Sequence, residues 1–128
     1  MNFSIEHIKT SFRDDYRMTC ETYIRRASLV ASLLRGKWTL QILCAMRTEP
    51  VRLGRLTRLL PRASKKALRS GLRDLELANI VVRHDLSDTV LHVEYDFAEE
   101  MKQTVCDLLD HLAQWGELIE DNERTHAK

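Results

Sequence analysis

The fold that this 128-residue sequence predicts is a mainly helical α+β domain, and three observations predict it. Apolar residues recur at spacings of three and four through most of the chain, two β-rich runs lie side by side after residue 80, and only four Gly and two Pro interrupt the pattern. A chain of this size buries roughly two-thirds of the surface it exposes when extended, so a core forms without disulfide or metal.

Ile5, Ile8, Phe12 and Tyr16 mark a short N-terminal amphipathic helix or arm. Ile24, Ala27, Ala31 and Leu34 then repeat the helical period up to Arg35-Gly36, where the glycine suits a helix C-cap. From Trp38 through Leu40, Ile42, Leu43, Cys44, Ala45 and Met46 the chain is apolar on most helical sides, which predicts a buried helix and places Trp38 and Cys44 in the core. Glu49-Pro50 breaks it. Leu53, Leu56, Leu59 and Leu60 mark a short helix that Pro61 ends, and Ser64 caps the next, whose inner face is Leu68, Gly71, Leu72 and Leu75. Lys65, Lys66, Arg69, Ser70 and Arg73 fall on its outer side.

Ile80–His84 and Thr89–Tyr95 read as two strands joined by a turn at Asp85-Leu86-Ser87-Asp88. A last helix is expected from about Phe97 to about Asp121, with Met101, Val105, Leu108, Leu112, Trp115 and Ile119 on one stripe. At 1.5 Å per residue it is ~35 Å long, more than a small domain covers with its own core, which points to packing on a second chain. Trp115 reads most simply as core, and Cys106 as packing.

The net charge of +1 conceals a strong segregation. Residues 1–34 hold five basic and four acidic side chains, residues 35–84 twelve and three, and residues 85–128 three and twelve. The middle segment thus carries +9, with ten of its cations between Arg47 and Arg83, and this is the footprint of a polyanion binder. Helix, helix, helix, hairpin, with a tight Pro-Arg-Ala link into a helix carrying outward Lys and Arg, is what a winged helix-turn-helix requires. Ser64, Lys65, Lys66, Arg69, Ser70 and Arg73 are the candidate recognition-helix residues of a DNA binder. Arg52, Arg55, Arg58 and Arg62 are candidate phosphate anchors, and Arg83 and His84 the wing contacts.

Gly36-Lys37-Trp38-Thr39-Leu40, Leu56 with Arg58 before Leu60-Pro61, and Ser64 with Leu68, Leu72, Arg73, Leu75 and Glu76 form the first part of an ordered set. Val93-Glu94-Tyr95 and Ala113 with Trp115 complete it. In this set the chain resembles the HxlR-type bacterial transcription regulators over about residues 24 to 116. The resemblance implies a homodimeric winged-helix regulator, with N- and C-terminal helices forming the dimer and each recognition helix and wing holding half of an inverted repeat. Ile24, Leu108, Leu112, Trp115 and Ile119 are the candidate dimer-interface residues. The expected organisation is an arm or short helix over 1–22, the winged helix-turn-helix domain with its dimerisation helix over 23–121, and a polar tail over 122–128.

The chain departs from the family pattern at several positions. Arg25 stands where many members carry a redox-sensing Cys, about thirteen residues before Trp38, and Cys20 lies five positions earlier. Near Arg17, Arg25 and Arg26, Cys20 is the candidate redox thiol, with an ordinary unreactive Cys the simpler reading. Leu91-His92 stands where Pro and Arg commonly precede Val93-Glu94-Tyr95, and Ala98 and Met101 replace the usual Thr and Gly of the last helix. Asp96 and Glu99 offer a substitute capping box.

Cys20, Cys44 and Cys106 have neither redox-motif nor zinc-ligand spacing, so no metal and no cofactor is expected. Asp107 and His111 share a helical face and His84 and His92 lie on opposite strands, but two ligands do not make a site; a surface hydrogen bond or ion pair is the simpler reading of the first pair. No Gly-rich phosphate loop, H-E-x-x-H or G-x-S-x-G occurs, and an enzyme is not expected. No run approaches the ~18 apolar residues of a membrane span, and Met1–His7 resembles no secretory signal, so a cytoplasmic, nucleoid-associated protein is expected. The leading expectation is a sequence-specific double-stranded-DNA-binding regulator, most simply a repressor, with an unidentified small-molecule effector as a further partner. The alternative is a winged-helix protein-interaction module without specific DNA binding.

Overall fold

The computed structural model describes residues 19–126, so the expected helix through Ile5 and Tyr16 lies outside the described residues. The chain divides into two units between Arg35 and Gly36.

In the first unit, α1 spans Cys20–Leu33 and is capped by Thr19, whose Oγ1 accepts the Thr22 amide at 3.2 Å. None of its residues is buried, and Tyr23, Ile24, Leu29 and Val30 are exposed. It ends at Leu34 in right-handed geometry, the Leu34 amide closing on the Val30 carbonyl at 3.0 Å. The expected glycine cap at Gly36 is not used, because the helix closes before it and no described glycine has a positive φ.

The second unit holds the core. Helix α2 (Thr39–Ala45) buries Thr39, Ile42 and Leu43, with Met46 buried just beyond. The helix has only two turns, and its Gln41 and Cys44 face stays outside, which corrects the expectation that Cys44 is core. Partial desolvation still raises the Cys44 thiol pKa above its ordinary value, against the lowering effect of Arg47. Trp38 is half-buried, with the Lys37 ammonium 5.5 Å from its ring centroid. Helix α3 (Leu53–Leu59) buries Leu56 and stops at Leu60, before Pro61.

Helix α4 (Lys65–Leu77) starts on Ser64, whose Oγ accepts the Ala67 amide at 3.0 Å, a cap that contributes about 1 kcal/mol. Leu68, Leu72 and Leu75 recur every three or four residues and are fully buried against α2, α3 and the sheet. Asn79, at φ 60°, terminates this helix: its amide bonds Glu76 O at 2.9 Å, and the Ile80 amide bonds Leu75 O at 3.0 Å. This is a Schellman closure with asparagine in the left-handed position, where a β-branched residue would be strained.

Helices α2 and α4 cross closely at Gly71, where an added Cβ would lie 2.8 Å from Ile42 Cδ1. Ile42 is completely buried, so that methyl has little room to move. Overpacking of about 1–3 kcal/mol opposes the about 1 kcal/mol that alanine gains over glycine in a helix. Gly71→Ala is therefore expected to leave stability at or below wild type, whereas in an Ile42→Val background the same change stabilises. Denaturant unfolding of the four proteins of this cycle measures the coupling. A Gly71→Ala effect identical in both backgrounds contradicts the close crossing.

Strands β1 (Val81–Asp85) and β2 (Val93–Phe97) pair antiparallel, with Val81 opposite Phe97 and Asp85 opposite Val93. Val51 adds a one-residue bridge on the other side of β2, exchanging hydrogen bonds of 2.9 and 2.8 Å with Tyr95. The second strand thus starts and ends later than expected. Thr89–Leu91 belongs to a loop, while Phe97 pairs with Val81 and the Ala98 amide bonds Ile80 O at 2.8 Å. Extension of β2 moves the last helix to Lys102–His126 (α5) and leaves Asp96 in a strand, its carboxylate accepting the Phe97 amide at 2.8 Å. The Asp96–Glu99 capping box does not form for that reason.

Within α5 only Val105 and Leu109 are buried, and the helix runs on through residues 122–126, where Arg124 lies 3.8 Å from both Glu120 and Asp121. Its N-terminal half is tied to the end of α2 by Arg47, which reaches Asp110 Oδ1 at 2.6 Å, and by the Cys106 thiol, 3.8 Å from Arg47 O. Among the described residues no helix is long and apolar enough to cross a membrane.

Candidate nucleic-acid interface

Helix α4 carries its cations on the face opposite the buried leucines. Lys65, Lys66, Arg69, Ser70 and Arg73 are all exposed, as is the capping Ser64. Because Leu68, Leu72 and Leu75 are locked in the core, this outer face is fixed in rotation about the helix axis. The four cations are met by no ion pair among the described residues.

The residues of α3 and its flanks are more heterogeneous. Arg58 and Arg62 are exposed. Arg55, by contrast, pairs with Glu49, so its charge is partly neutralised within the molecule. Arg52 donates from a guanidinium nitrogen to Leu91 O at 3.2 Å, which ties the start of α3 to the wing loop. Nothing in the sequence spacing signals that contact, since the two residues are 39 positions apart.

The wing loop, residues 86–92, is held by its polar side chains. Asp85 Oδ1 accepts the Ser87 amide at 2.9 Å, and Ser87 Oγ accepts the His92 amide at 2.8 Å. Leu86 N bonds His92 O at 2.7 Å and closes the loop at its base. The Ser87 side chain and amide, with a smaller contribution from Arg83, hold the Asp85 carboxyl below its ordinary pKa. Arg83 and His84 lie on β1, exposed, opposite Tyr95 and Glu94 respectively, rather than at the tip. His84 and His92 do not face each other: the register gives Glu94 to His84, and His92 Nε2 is 3.0 Å from the Glu94 carboxylate. The loop exposes Leu86, Val90 and Leu91, of which Val90 and Leu91 were expected in a strand.

Arg52, Arg69 and Arg83, from three separate segments, line one cleft of about 310 Å³. Its other walls are Leu53, Val93 and Tyr95, with Leu91 at the side of the wing.

On α5, Leu108 and Leu112 are half-buried, whereas Trp115 is 66% exposed and Leu118 and Ile119 are also exposed. Trp115 is therefore not a core residue of the second unit; the stripe passes beyond the part of α5 that packs on that unit. Leu118, outside the stripe expected from the sequence, belongs to the same exposed group. Asp107 Oδ1 accepts the Gln103 side-chain amide at 2.9 Å, and among the described residues no ion pair joins Asp107 to His111. Among the described residues no three His, Cys, Asp or Glu side chains cluster so as to hold a metal ion. Cys20 is exposed at the first position of α1.

Three helices around a buried leucine face, a tight 60–64 link into a cationic helix and a two-stranded wing define a winged helix-turn-helix. The model of the HxlR-like helix-turn-helix family matches residues 33–124. The chain belongs to this family. An uncharacterized HTH-type transcriptional regulator of Methanothermobacter thermautotrophicus is 26% identical over 108 residues, covering 84% of this chain and 82% of the relative. The HTH-type regulator YdzF of Bacillus subtilis, also uncharacterized, is 33% identical over 86 residues, 66% of this chain and 78% of the relative. Among solved structures, one from Enterococcus faecalis V583 assigned to the MarR family of transcriptional regulators is similar, with a TM-score of 0.71, 27% identity and coverage of 85% of this chain and 96% of that one. The reduced form of the B. subtilis regulator YodB matches with a TM-score of 0.63 and 25% identity, over 78% of this chain and 92% of that one. The protein is thus a member of a family of helix-turn-helix transcriptional regulators, and such regulators are generally not enzymes.

Proposed function

We propose that this HxlR-like protein is a sequence-specific double-stranded-DNA-binding regulator that acts as a homodimer on an inverted-repeat operator, most simply as a repressor that competes with polymerase. The observation that carries the reading is the outer face of α4, where Lys65, Lys66, Arg69 and Arg73 stand exposed and unpaired among the described residues while the opposite face is locked in the core. A helix so fixed presents the same cations to each duplex, and its N-terminal end, with Lys65, Lys66 and Arg69, enters the major groove first. Arg58 and Arg62 anchor phosphates, Arg52 and Arg55 do so in part, and Arg83 with His84 contacts the flanking backbone or minor groove from the wing.

The dimer contact is assigned to Leu108, Leu112, Trp115 and Ile119 of α5, with Ile24 of α1 and the segment before it assisting. The domain runs over residues 23–121, preceded by an arm and followed by a polar tail whose first residues continue α5. Such a protein works in the cytoplasm at the nucleoid. The interaction-module alternative does not require four cations on one helix face, and this chain carries four there.

The test is binding of purified protein to duplexes from its genomic neighbourhood and to scrambled duplexes over a series of salt concentrations. Log affinity is expected to fall linearly with log salt, with a slope of several units for several phosphate contacts, and one duplex is expected to be preferred by about 10³-fold or more. Weak, salt-independent binding with no preferred duplex would leave the interaction module.

YodB has been solved in reduced, diamide-treated and quinone-bound forms. In this chain Arg25 occupies the position that the resemblance assigns to a sensor, and Cys20 stands exposed elsewhere on the chain. Cys20→Ser is expected to leave operator affinity, and its response to peroxide or diamide, unchanged within error. Release of the wild-type protein by either oxidant, abolished in the variant, would instead make Cys20 the sensor.

A further inference from the structure

Arg52, Arg55 and Arg58 recur at a spacing of three through α3 and its N-terminal flank, and all three line an open depression of about 470 Å³ that they share with Glu49 and Glu94. The three guanidiniums are not equivalent. Arg52 donates to a neutral carbonyl, Leu91 O, and keeps its full charge. Arg58 folds back along its helix, so that a Cβ on Gly54 would lie 3.7 Å from its Nη1, and it meets no carboxylate among the described residues. Arg55 is paired with Glu49 and is neutralised. Glu94 is occupied differently, with His92 Nε2 3.0 Å from its carboxylate. The backbone brings the Glu49–Arg55 pair together. Pro50 restricts the conformation of Glu49, and Val51 is pinned to Tyr95 by hydrogen bonds of 2.9 and 2.8 Å. Arg55 stands in the first turn of α3, its amide on Arg52 O at 3.0 Å. Both side chains of the pair reach solvent, so it is weak enough to open.

We propose that Glu49 is an internal stand-in for a DNA phosphate, which occupies Arg55 and so sets how tightly, and with what salt sensitivity, the protein holds DNA of any sequence. The proposal deepens the DNA-binding reading above and rests on it. A carboxylate and a phosphate offer a guanidinium the same kind of acceptor, and Arg55 serves one of them at a time. A phosphate that claims Arg55 must displace Glu49 and then face its charge. Each arginine that neutralises a phosphate releases counterions, whereas one already neutralised by a carboxylate has few to release. Phosphate contacts carry no sequence information directly. Masking Arg55 therefore weakens the hold on operator and random duplex alike, and shortens the time spent on each random site.

The test is a cycle of the full chain, Glu49→Gln, Arg55→Gln and the double variant, titrated by fluorescence anisotropy on operator and scrambled duplexes over a series of salt concentrations. Circular dichroism checks that each variant folds, and Glu49→Ala, which removes the same charge, should behave as Glu49→Gln does. Glu49→Gln is expected to bind both duplexes about fivefold more tightly at ~0.15 M salt, with the magnitude of the log affinity against log salt slope raised by about one. Arg55→Gln should stay within about twofold of wild type, and the double variant within about twofold of Arg55→Gln, because the gain needs a freed Arg55. Glu94→Gln removes an equal charge from the same depression without freeing an arginine and should leave the slope unchanged. The proposal is overturned by a Glu49→Gln slope equal to that of wild type, or by a gain that persists undiminished in the double variant, which would make Glu49 a plain source of repulsion. It is also overturned if Arg55→Gln alone weakens binding and lowers the slope, since Arg55 would then already be on a phosphate. Duplex binding by wild type with any of these outcomes removes the role of Glu49 alone, whereas no duplex binding by any of the proteins removes the DNA-binding reading and this role with it.

Discussion

Arg69→Ala is expected to weaken binding to the operator by about 1–3 kcal/mol while changing affinity for scrambled duplex far less. Arg69 is exposed on α4 one turn from the Ser64 cap, a position from which a guanidinium can pair bidentately with guanine O6 and N7. Arg58, at the end of α3 before the turn, is also exposed, and in the proposed docking it would face the phosphate backbone. Arg58→Ala should weaken both duplexes alike and reduce the magnitude of the log affinity against log salt slope by about one. Both substitutions remove a surface cation and no buried contact, so differences between them report on DNA and not on folding. A salt titration of the two variants on both duplexes is the measurement. Equal losses on both duplexes would show that α4 is not the reading helix.

The second large effect is expected at Trp115. A 25-residue helix is about 37 Å long, and α5 buries only Val105 and Leu109 against its own domain. Trp115, Leu118 and Ile119 are left exposed, and on the proposed homodimer a second copy would cover them. Trp115→Ala deletes a side chain that the monomer hardly buries, so thermal stability of the isolated domain should change little. At the centre of a dimer contact, the same deletion removes a large aromatic anchor and should weaken self-association by at least about 2 kcal/mol, roughly thirtyfold or more. Sedimentation equilibrium of wild type and variant checks it. A wild-type monomer at micromolar concentration would remove both the dimer and the palindromic operator that depends on it.

How far these features were legible in the sequence depended on what decides each one locally. The start and the buried face of α4 were readable because a cap, a buried period and a charged outer face all agree within thirteen residues, whereas its closure on Asn79 left no such signal. The wing was readable as a pair of strands but not in its limits. Thr89, Val90 and Leu91 have strand propensity and no strand partner, while Val81 and Phe97 find each other across the sheet. Extension of β2 to Phe97 in turn displaced the start of α5, an effect of pairing that no local pattern encodes. Val51 joins the sheet through a single bridge, too short to leave a periodicity.

Side-chain environments divided in the same way. Leu68 and Leu72 followed from spacing, but Cys44 lies on the outer face of a two-turn helix whose composition is apolar on most sides. Trp115 continues an apolar stripe, and a stripe states that a face is to be covered without stating by what. Arg52 could be assigned to phosphate from its charge, whereas its bond to Leu91 O depends on the wing folding back toward α3.

The central claim, that α4 reads base edges as one half of a symmetric pair, is tested most directly by footprinting the purified full-length protein on its genomic neighbourhood at physiological salt. The account predicts a discrete protected site with two symmetry-related halves whose centres are about one helical turn, roughly 34 Å, or a multiple of it apart. Protection of both halves should be lost with Arg69→Ala at concentrations where Arg83→Gln still retains part of it. Uniform weak protection along the whole fragment, or none, would contradict the account and leave the interaction module.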